Sequence, residues 1–418
     1  MNADLQKAID ESKFYTSDSR EIEKGSIFIA LVGENSDGHD YIETAFEKGA
    51  SWAVVSKIPK DTSNREKLIL VEDIRAAHVA LAKGFRKKFA LKVVGVAGSN
   101  GKTSTKEFLA QIVSDHVQVF WTQASQNGEL GIPKTFEQAR EHHDWAIIEI
   151  GIDRPGDMDR YLQWADPDFS VLTSIGMEHL ENFKSVNVVF SEERKICDWV
   201  EKKNGQSFVP GADPYLKKLA TELSSCTALD IEGSAFRQTI ENRFEEGFLQ
   251  NNLLLSANMA KVMGVNSDIV VQSISKVELP QGRGSIRELN NGSWIMEDHY
   301  NANPSSMSEA IAKVEKFASS HSKSIVFILG DMAELGDVSL PAHEEVLERV
   351  RMTSPDEQIY LVGSEFKKVI EQLKLESSEI QHFPESSTVV LNEHKNVVYL
   401  VKGSRSMALE AVYKKITV

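Results

Sequence analysis

The chain has 418 residues, 41% of them hydrophobic and 26% charged, with a formal net charge of −15. These are ordinary values for a globular protein of two or three domains. The acidic balance argues against nucleic acid as a bulk partner, so an anionic ligand must be gripped by local cations. No apolar run approaches the roughly 20 residues that span a bilayer, which excludes membrane insertion by a helix. Met1-Asn2-Ala3-Asp4 lacks the basic and apolar regions of a secretory leader. Cys197 and Cys226 have no metal-type spacing. A cytoplasmic, monomeric protein with reduced thiols is expected.

Residues 1–90 read as a small α/β unit. Gly25–Val32 and Ala50–Val55 are strand-like, and Tyr41–Lys48 between them is helical in pattern. The polar clusters Asp18-Ser19-Arg20 and Asp37-Gly38-His39 read, on their residues alone, as turns or helix caps.

Residues 91–281 alternate strands with helices, as in a doubly wound parallel sheet. The run Val93–Ala97 enters Gly98-Ser99-Asn100-Gly101-Lys102-Thr103-Ser104, and a helical pattern from Lys106 to Val113 leaves it. That order is strand, phosphate loop, helix. Backbone N–H groups in such a turn cradle phosphate oxygens, Lys102 supplies a mobile cation, and the Thr103 hydroxyl suits Mg²⁺. Val96 stands where the strict motif has its first glycine, and Gly98 carries the tight turn instead. An ordinary glycine-rich βα loop is the alternative, which Gly-Lys-Thr at this position disfavours.

Two further strands end in candidate ligands. Trp145–Gly151 carries Glu149 near its carboxyl end, and Phe169–Gly176 is followed at once by His179. Ligands of open α/β sheets sit at the carboxyl ends of strands, so Glu149 and His179 are candidate Mg²⁺ ligands beside the phosphate loop. A satisfied buried glutamate and a helix-capping histidine are the alternatives.

Residues 282–418 repeat the βα alternation, as in a Rossmann-like domain. The strands Trp294–Asp298, Ser324–Leu329 and Asn396–Val401 each run into a loop rich in glycine, aspartate, asparagine or serine, suggesting a second ligand-facing layer. Arg351–Glu357, with Pro355, reads as a solvated loop.

Taken together the motifs resemble those of the Mur ligases, the ATP-dependent amide-forming enzymes of peptidoglycan synthesis. The phosphate loop belongs to that whole superfamily. More discriminating are Asp298-His-Tyr-Asn-Ala-Asn-Pro-Ser-Ser-Met307, Gly330-Asp-Met-Ala-Glu-Leu-Gly336 and Leu400-Val-Lys-Gly-Ser-Arg-Ser406. The resemblance implies three domains: residues 1–90 for a UDP-sugar substrate, 91–281 for ATP and Mg²⁺, and 282–418 as the C-terminal ligase domain. It implies UDP-N-acetylmuramoyl-tripeptide and D-alanyl-D-alanine as substrates, joined through an acyl phosphate. It implies Lys102 on the phosphates, and Thr103, Glu149 and His179 around the metal. Asn252 matches an asparagine near the adenine, Arg283 an arginine at the start of the third domain, Asp298 a ribose contact and Asn301 an adenine contact. Ser19, Arg20 and Asn127 match substrate contacts.

Two departures from the family pattern stand out. The stretch Ser125-Gln-Asn127-Gly128 keeps Asn127 but loses two amides that help order substrate and metal in the family. Glu193 falls where the family carries a lysine, carbamylated to hold a second Mg²⁺; a surface glutamate in the run Glu192–Lys195 is the alternative. A related ligase with another amino acid or dipeptide, or a weakened ATP-binding regulatory protein, are the other functional readings.

Overall fold

The structure, a computed structural model, describes residues 3–59, 64–124, 126–244, 247–375, 380–392 and 394–417; Ser125 lies outside them. Three sheets organise the chain, in agreement with a three-domain α/β protein. The first holds β1 (Phe14–Thr16), β2 (Ser26–Ile29), β3 (Trp52–Val55) and β4 (Leu68–Leu70), all parallel and in chain order. The helix Ile74–Lys88 follows, its start fixed by Asp73, whose side chain accepts from Arg75 and Ala76 N–H. It buries Ala77, Leu81, Ala82 and Phe85 at helical spacing, and its last turn carries Arg86, Lys87 and Lys88, favourable at the negative end of the helix dipole.

The second sheet comprises β5 (Lys92–Ala97), β6 (Val119–Trp121), β7 (Trp145–Glu149), β8 (Phe169–Leu172), β9 (Gln206–Pro210) and β10 (Cys226–Leu229). Its order is β10-β9-β8-β5-β7-β6, all parallel. The chain leaves β5 toward β6 and β7 on one side and later adds β8 on the other. β5 is therefore the topological switch point, where open parallel sheets form their ligand crevice. The first two sheets belong to one compact unit, made of Met1–Ile152, Gly156–Ser174 and Glu193–Val277. Within it Arg86 binds the carboxylates of Asp166 and Asp168, and Lys88 Nζ donates to the carbonyls of Ile9, Asp10 and Ser12.

The third sheet comprises β11 (Ser285–Glu288), β12 (Trp294–Asp298), β13 (Ser324–Gly330), β14 (Gln358–Val362), β15 (Ile380–Phe383) and β16 (Val397–Lys402). Its order is β11-β12-β16-β13-β14-β15, parallel except for the β11–β12 pair. Along β13, Ile325, Phe327 and Leu329 enter one apolar cluster while Val326 and Ile328 enter another. Both faces are covered, which is why the strand reads as an unbroken apolar run. A second compact unit contains this sheet, together with Asp153–Pro155 and Ile175–Glu192 from earlier in the chain.

One expected loop is corrected. The helix Ser339–Thr353 continues through Arg351, so only the end of the stretch up to Glu357 is irregular. Among the described residues no helix is long and apolar enough to cross a membrane.

Candidate functional site

In the first unit the site is built on the turn after β5. Gly98 and Gly101 have φ of +118° and +86°, a backbone region that suits glycine. A Cβ on Gly98 would lie 2.4 Å from Thr173 Oγ1, and one on Gly101 would lie 2.6 Å from Asn252 Oδ1. The turn is tied to the end of β8: Ser99 N–H donates to the Ser174 carbonyl at 2.9 Å, Asn100 N–H to Ser174 Oγ at 2.9 Å, and Thr173 Oγ1 to the Asn100 carbonyl at 2.6 Å. The helix Lys102–Val113 then starts at Gly101, which offers no side-chain cap. An uncapped helix start of this kind is a ready anion site. Lys102 Nζ lies over the turn, donating to the carbonyls of Gly98 at 2.5 Å and Ser99 at 3.3 Å.

Glu149, at the end of β7, is only 1% exposed. Its Oε1 accepts from Thr103 Oγ1 at 3.2 Å and from Asn127 Nδ2 at 2.9 Å. Its Oε2 is buried without a hydrogen bond and faces Lys106 Nζ at 3.6 Å. A hydroxyl and a carboxylate with one oxygen that makes no hydrogen bond form an oxygen donor set that fits Mg²⁺, which takes its other ligands from phosphates and water. No group of three His, Cys, Asp or Glu forms a protein-only metal cage among the described residues.

Lys106 was not expected here. It is fully buried four residues after Lys102, and its Nζ donates to the Thr122 carbonyl at 2.6 Å. The available signal was a lysine one helical turn beyond Lys102, at the start of the helix's apolar face. Asn252 is buried on the helix Phe248–Val262 and packs against Gly101; Ser256 on the same helix donates to the Thr105 carbonyl at 2.9 Å.

Glu193 is 0% exposed, which rules out the surface alternative. Asp18 and Arg20 pair on the loop after β1, and the Arg20 guanidinium holds the Asp18 carboxyl down at about 2. Arg20 is exposed and Ser19 half-buried, with the Ser19 carbonyl accepting from Lys48 Nζ at 2.8 Å.

The remaining candidates lie in the second unit. His179 occupies the N-cap position of the helix Leu180–Phe183 with a left-handed φ of +46°, yet its ring does not cap the helix. Its Nδ1 is 2.5 Å from Glu334 Oε2 and its Nε2 3.5 Å from Asp153 Oδ1. Burial works to lower the His179 pKa, but Glu334, with Glu178 and Asp153, outweighs it and holds the ring above its ordinary value. His179 is thus placed as an ion-pair partner of the Gly330–Gly336 motif and belongs to a different unit from Glu149.

The three signature motifs of this unit are one construction, because β12, β16 and β13 are neighbours and their carboxyl ends align. Ser404 joins all three loops: its Oγ accepts from Ala333 N–H at 2.8 Å and donates to the Ala302 carbonyl at 3.2 Å, and its N–H donates to the Asp331 carbonyl at 3.0 Å. Asp331 accepts from the N–H groups of Glu365 and Phe366, fixing the start of the helix Ser364–Leu373. Asn303 and Ser306 form a reciprocal capping box for the helix Pro304–Ser320, with Pro304 at its first turn. Much of the motif chemistry is therefore helix capping.

Asp298 Oδ2 pairs with Lys402 Nζ at 2.7 Å, and the same ammonium donates to the Asn301 carbonyl at 3.0 Å. Asn301 is exposed and turns its Oδ1 onto Ala302 N–H. The Arg283 guanidinium stacks 3.8 Å from the Tyr300 ring centre, with Arg405 5.7 Å away. Lys402 is 1% exposed, so replacing it strips Asp298 of the ammonium that pairs with it. Lys402→Met is expected to cost about 2–4 kcal/mol. Equilibrium denaturation checks this, and a variant within about 0.5 kcal/mol of wild type would contradict the pairing's structural weight.

A glycine turn at the switch point of a parallel sheet, with a carboxylate beside its threonine, is the arrangement of a nucleotide-binding α/β protein. The family described as Mur ligase middle domain matches residues 96–256, the Mur ligase glutamate ligase domain matches 282–405, and the Mur ligase family catalytic domain matches 11–86. The chain belongs to the Mur ligase family.

Among its relatives is the UDP-N-acetylmuramoyl-tripeptide–D-alanyl-D-alanine ligase of Bacillus subtilis, 28% identical over 95% of this chain and 92% of that protein. The Escherichia coli ligase of the same name is 26% identical over 99% of this chain and 96% of its own. Among solved structures, MurF of Thermotoga maritima in complex with ADP superposes with a TM-score of 0.76 at 25% identity, covering 99% and 98% of the two chains. MurF of Acinetobacter baumannii gives 0.78 at 22% identity with the same coverage, a likeness of fold.

Proposed function

We propose that the chain is an ATP-dependent, ADP-forming ligase that joins D-alanyl-D-alanine to UDP-N-acetylmuramoyl-tripeptide. The observation that carries this reading is the end-to-end match to the Bacillus subtilis ligase, over 95% of the chain. The glycine turn with Lys102 and Thr103, and Glu149 within hydrogen-bond reach of Thr103, supports it against a weakened, non-catalytic relative. We assign residues 1–90 to the UDP-sugar substrate, 91–281 to ATP and Mg²⁺, and 282–418 to the C-terminal ligase function. Cys197 and Cys226 are both free and buried, which fits the reducing cytoplasm this reading requires.

A carboxylate resists attack by an amine until one oxygen becomes a leaving group. Transfer of the γ-phosphoryl from ATP to the peptide carboxylate supplies that group and releases ADP. The dipeptide amine then attacks the acyl carbon, the C–N bond forms, the nitrogen gives up a proton to solvent, and the C–O bond to phosphate breaks as phosphate departs. Lys102 would spread the charge of the transferring phosphoryl group. Thr103 and Glu149 would hold Mg²⁺, which when bound neutralises phosphate charge. Asn127 and Lys106 keep the Glu149 carboxylate in place from either side.

Phosphate release from ATP is expected only when both UDP-N-acetylmuramoyl-tripeptide and D-alanyl-D-alanine are present. Release that ignores the dipeptide, or no release with both, would overturn the assignment.

A further inference from the structure

One buried carboxylate has no part in this scheme. Glu137 is 4% exposed and follows the helix Gly131–Phe136 of the second sheet's domain. It collects donors from three places. His78 Nε2, from the helix Ile74–Lys88, lies 2.9 Å from its Oε1. Its Oε2 accepts from Thr16 Oγ1 at 3.2 Å, Ser17 N–H at 2.9 Å, Ser17 Oγ at 3.3 Å and Lys134 Nζ at 2.6 Å. Lys134 Nζ also donates to Ser17 Oγ at 3.1 Å, and Tyr15 Oη donates to the Pro133 carbonyl at 2.7 Å. Burial would raise the Glu137 carboxyl, but His78 and Lys134 outweigh it and keep it below its ordinary value, hence charged.

All these contacts converge where β1 ends and the loop carrying Ser19 and Arg20 begins. The loop's own turn is built on the same residues: Asp18 N–H donates to Thr16 Oγ1 at 3.1 Å, and Arg20 N–H to Asp18 Oδ1 at 2.9 Å. At its other end the segment bearing Glu137 starts with Asn127, which donates to Glu149 and whose carbonyl accepts from Gly151 N–H at 2.9 Å. Residues 127–137 therefore touch the Glu149 carboxylate at one end and the 17–20 loop at the other.

We infer that Glu137 is a positioning residue for the UDP-linked substrate: from the second domain it fixes the Ser17–Arg20 loop of the first, in register with the Glu149 carboxylate. The inference rests on the reading that this loop contacts the UDP-linked substrate. A charge-assisted cluster suits the task, because bonds to ionised groups are short and directional.

The test uses the full chain carrying Glu137→Gln, which keeps the shape and removes the charge. Calorimetric titration measures UDP-N-acetylmuramoyl-tripeptide and, separately, ADP, with Arg20→Ala run alongside. Affinity for the UDP-linked substrate is expected to fall at least about tenfold in Glu137→Gln, as for a lost charged hydrogen bond, with ADP affinity within about twofold. In turnover, KM for that substrate should rise while kcat holds; a merely structural role would instead reduce the active fraction and leave KM unchanged. If Arg20→Ala weakens binding and Glu137→Gln does not, the Glu137 inference is overturned and the loop reading survives. If Arg20→Ala binds as wild type, the loop reading fails and the inference with it. Should Glu137→Gln not fold, Lys134→Met replaces it: a weaker loss in the same direction supports the inference, and wild-type affinity overturns it.

Discussion

Lys102→Ala is expected to lower phosphate release at saturating substrates by roughly 30- to 1,000-fold, the equivalent of about 2–4 kcal/mol of transition-state stabilisation. Lys102 opens the helix Lys102–Val113, its Nζ reaches back over the turn to the carbonyls of Gly98 and Ser99, and it is half-buried. It is a mobile cation in an acidic protein of net charge −15, so the phosphates of ATP have no general field to replace it. Lys102 sits half-buried over the turn and donates to two loop carbonyls, outside the apolar core, so the unfolding temperature should stay close to wild type. Turnover within about threefold of wild type, in a folded variant at saturating ATP, would sink the phosphate-loop assignment.

The same loop shows what the sequence could and could not reveal. Gly98, Gly101 and Lys102 were legible because a phosphate turn needs those residue types at that spacing. The helix pattern, however, was visible only from Lys106, whereas the helix begins at Lys102. Its first turn, Lys102-Thr103-Ser104-Thr105, carries no apolar side chain although Ser104 and Thr105 are buried, so apolar periodicity could not register it. β1, β4 and β6 escaped notice for a different reason. Each is a three-residue strand at the edge of its sheet, too short to show alternation. Glu149 was correctly placed at a strand end, but nothing in its neighbourhood along the chain announced Lys106 or Asn127, which reach it only through the fold. His179 was legible as a residue after β8 and not as the partner of Glu334, which lies 155 positions away in the sequence. The three C-terminal motifs were recognisable as a set, while their physical content, the Asn303–Ser306 capping box and the Ser404 junction, required the strand order.

Glu193→Ala is expected to weaken metal binding and turnover together, and wild-type activity is expected to be indifferent to bicarbonate depletion. In the run Glu192-Glu193-Arg194-Lys195 the charges look like a solvated helix face. Arg194, between the helices Val186–Glu193 and Lys195–Lys202, keeps αR backbone, and Glu193 falls in the buried series Val189, Ile196, Cys197 and Val200 at helical spacing, so it turns fully inward. A carboxylate is taken wholly out of water only at substantial cost unless a cation or hydrogen bonds compensate it. A carbamylated lysine, implied at this position by the family resemblance, also ends in a carboxylate, roughly 4 Å farther from the backbone. On this reading Glu193 would supply the same charge without dissolved CO₂, and Mg²⁺, which keeps several of its waters, would accept it through one of them. Mn²⁺ affinity, read by paramagnetic resonance with ADP present, should drop about tenfold or more in Glu193→Ala, as for loss of an outer-sphere metal partner. Glu193→Lys should regain part of that affinity only when bicarbonate is supplied. If both variants fold and bind Mn²⁺ as wild type does, Glu193 is a buried structural carboxylate, and the metal is held without it.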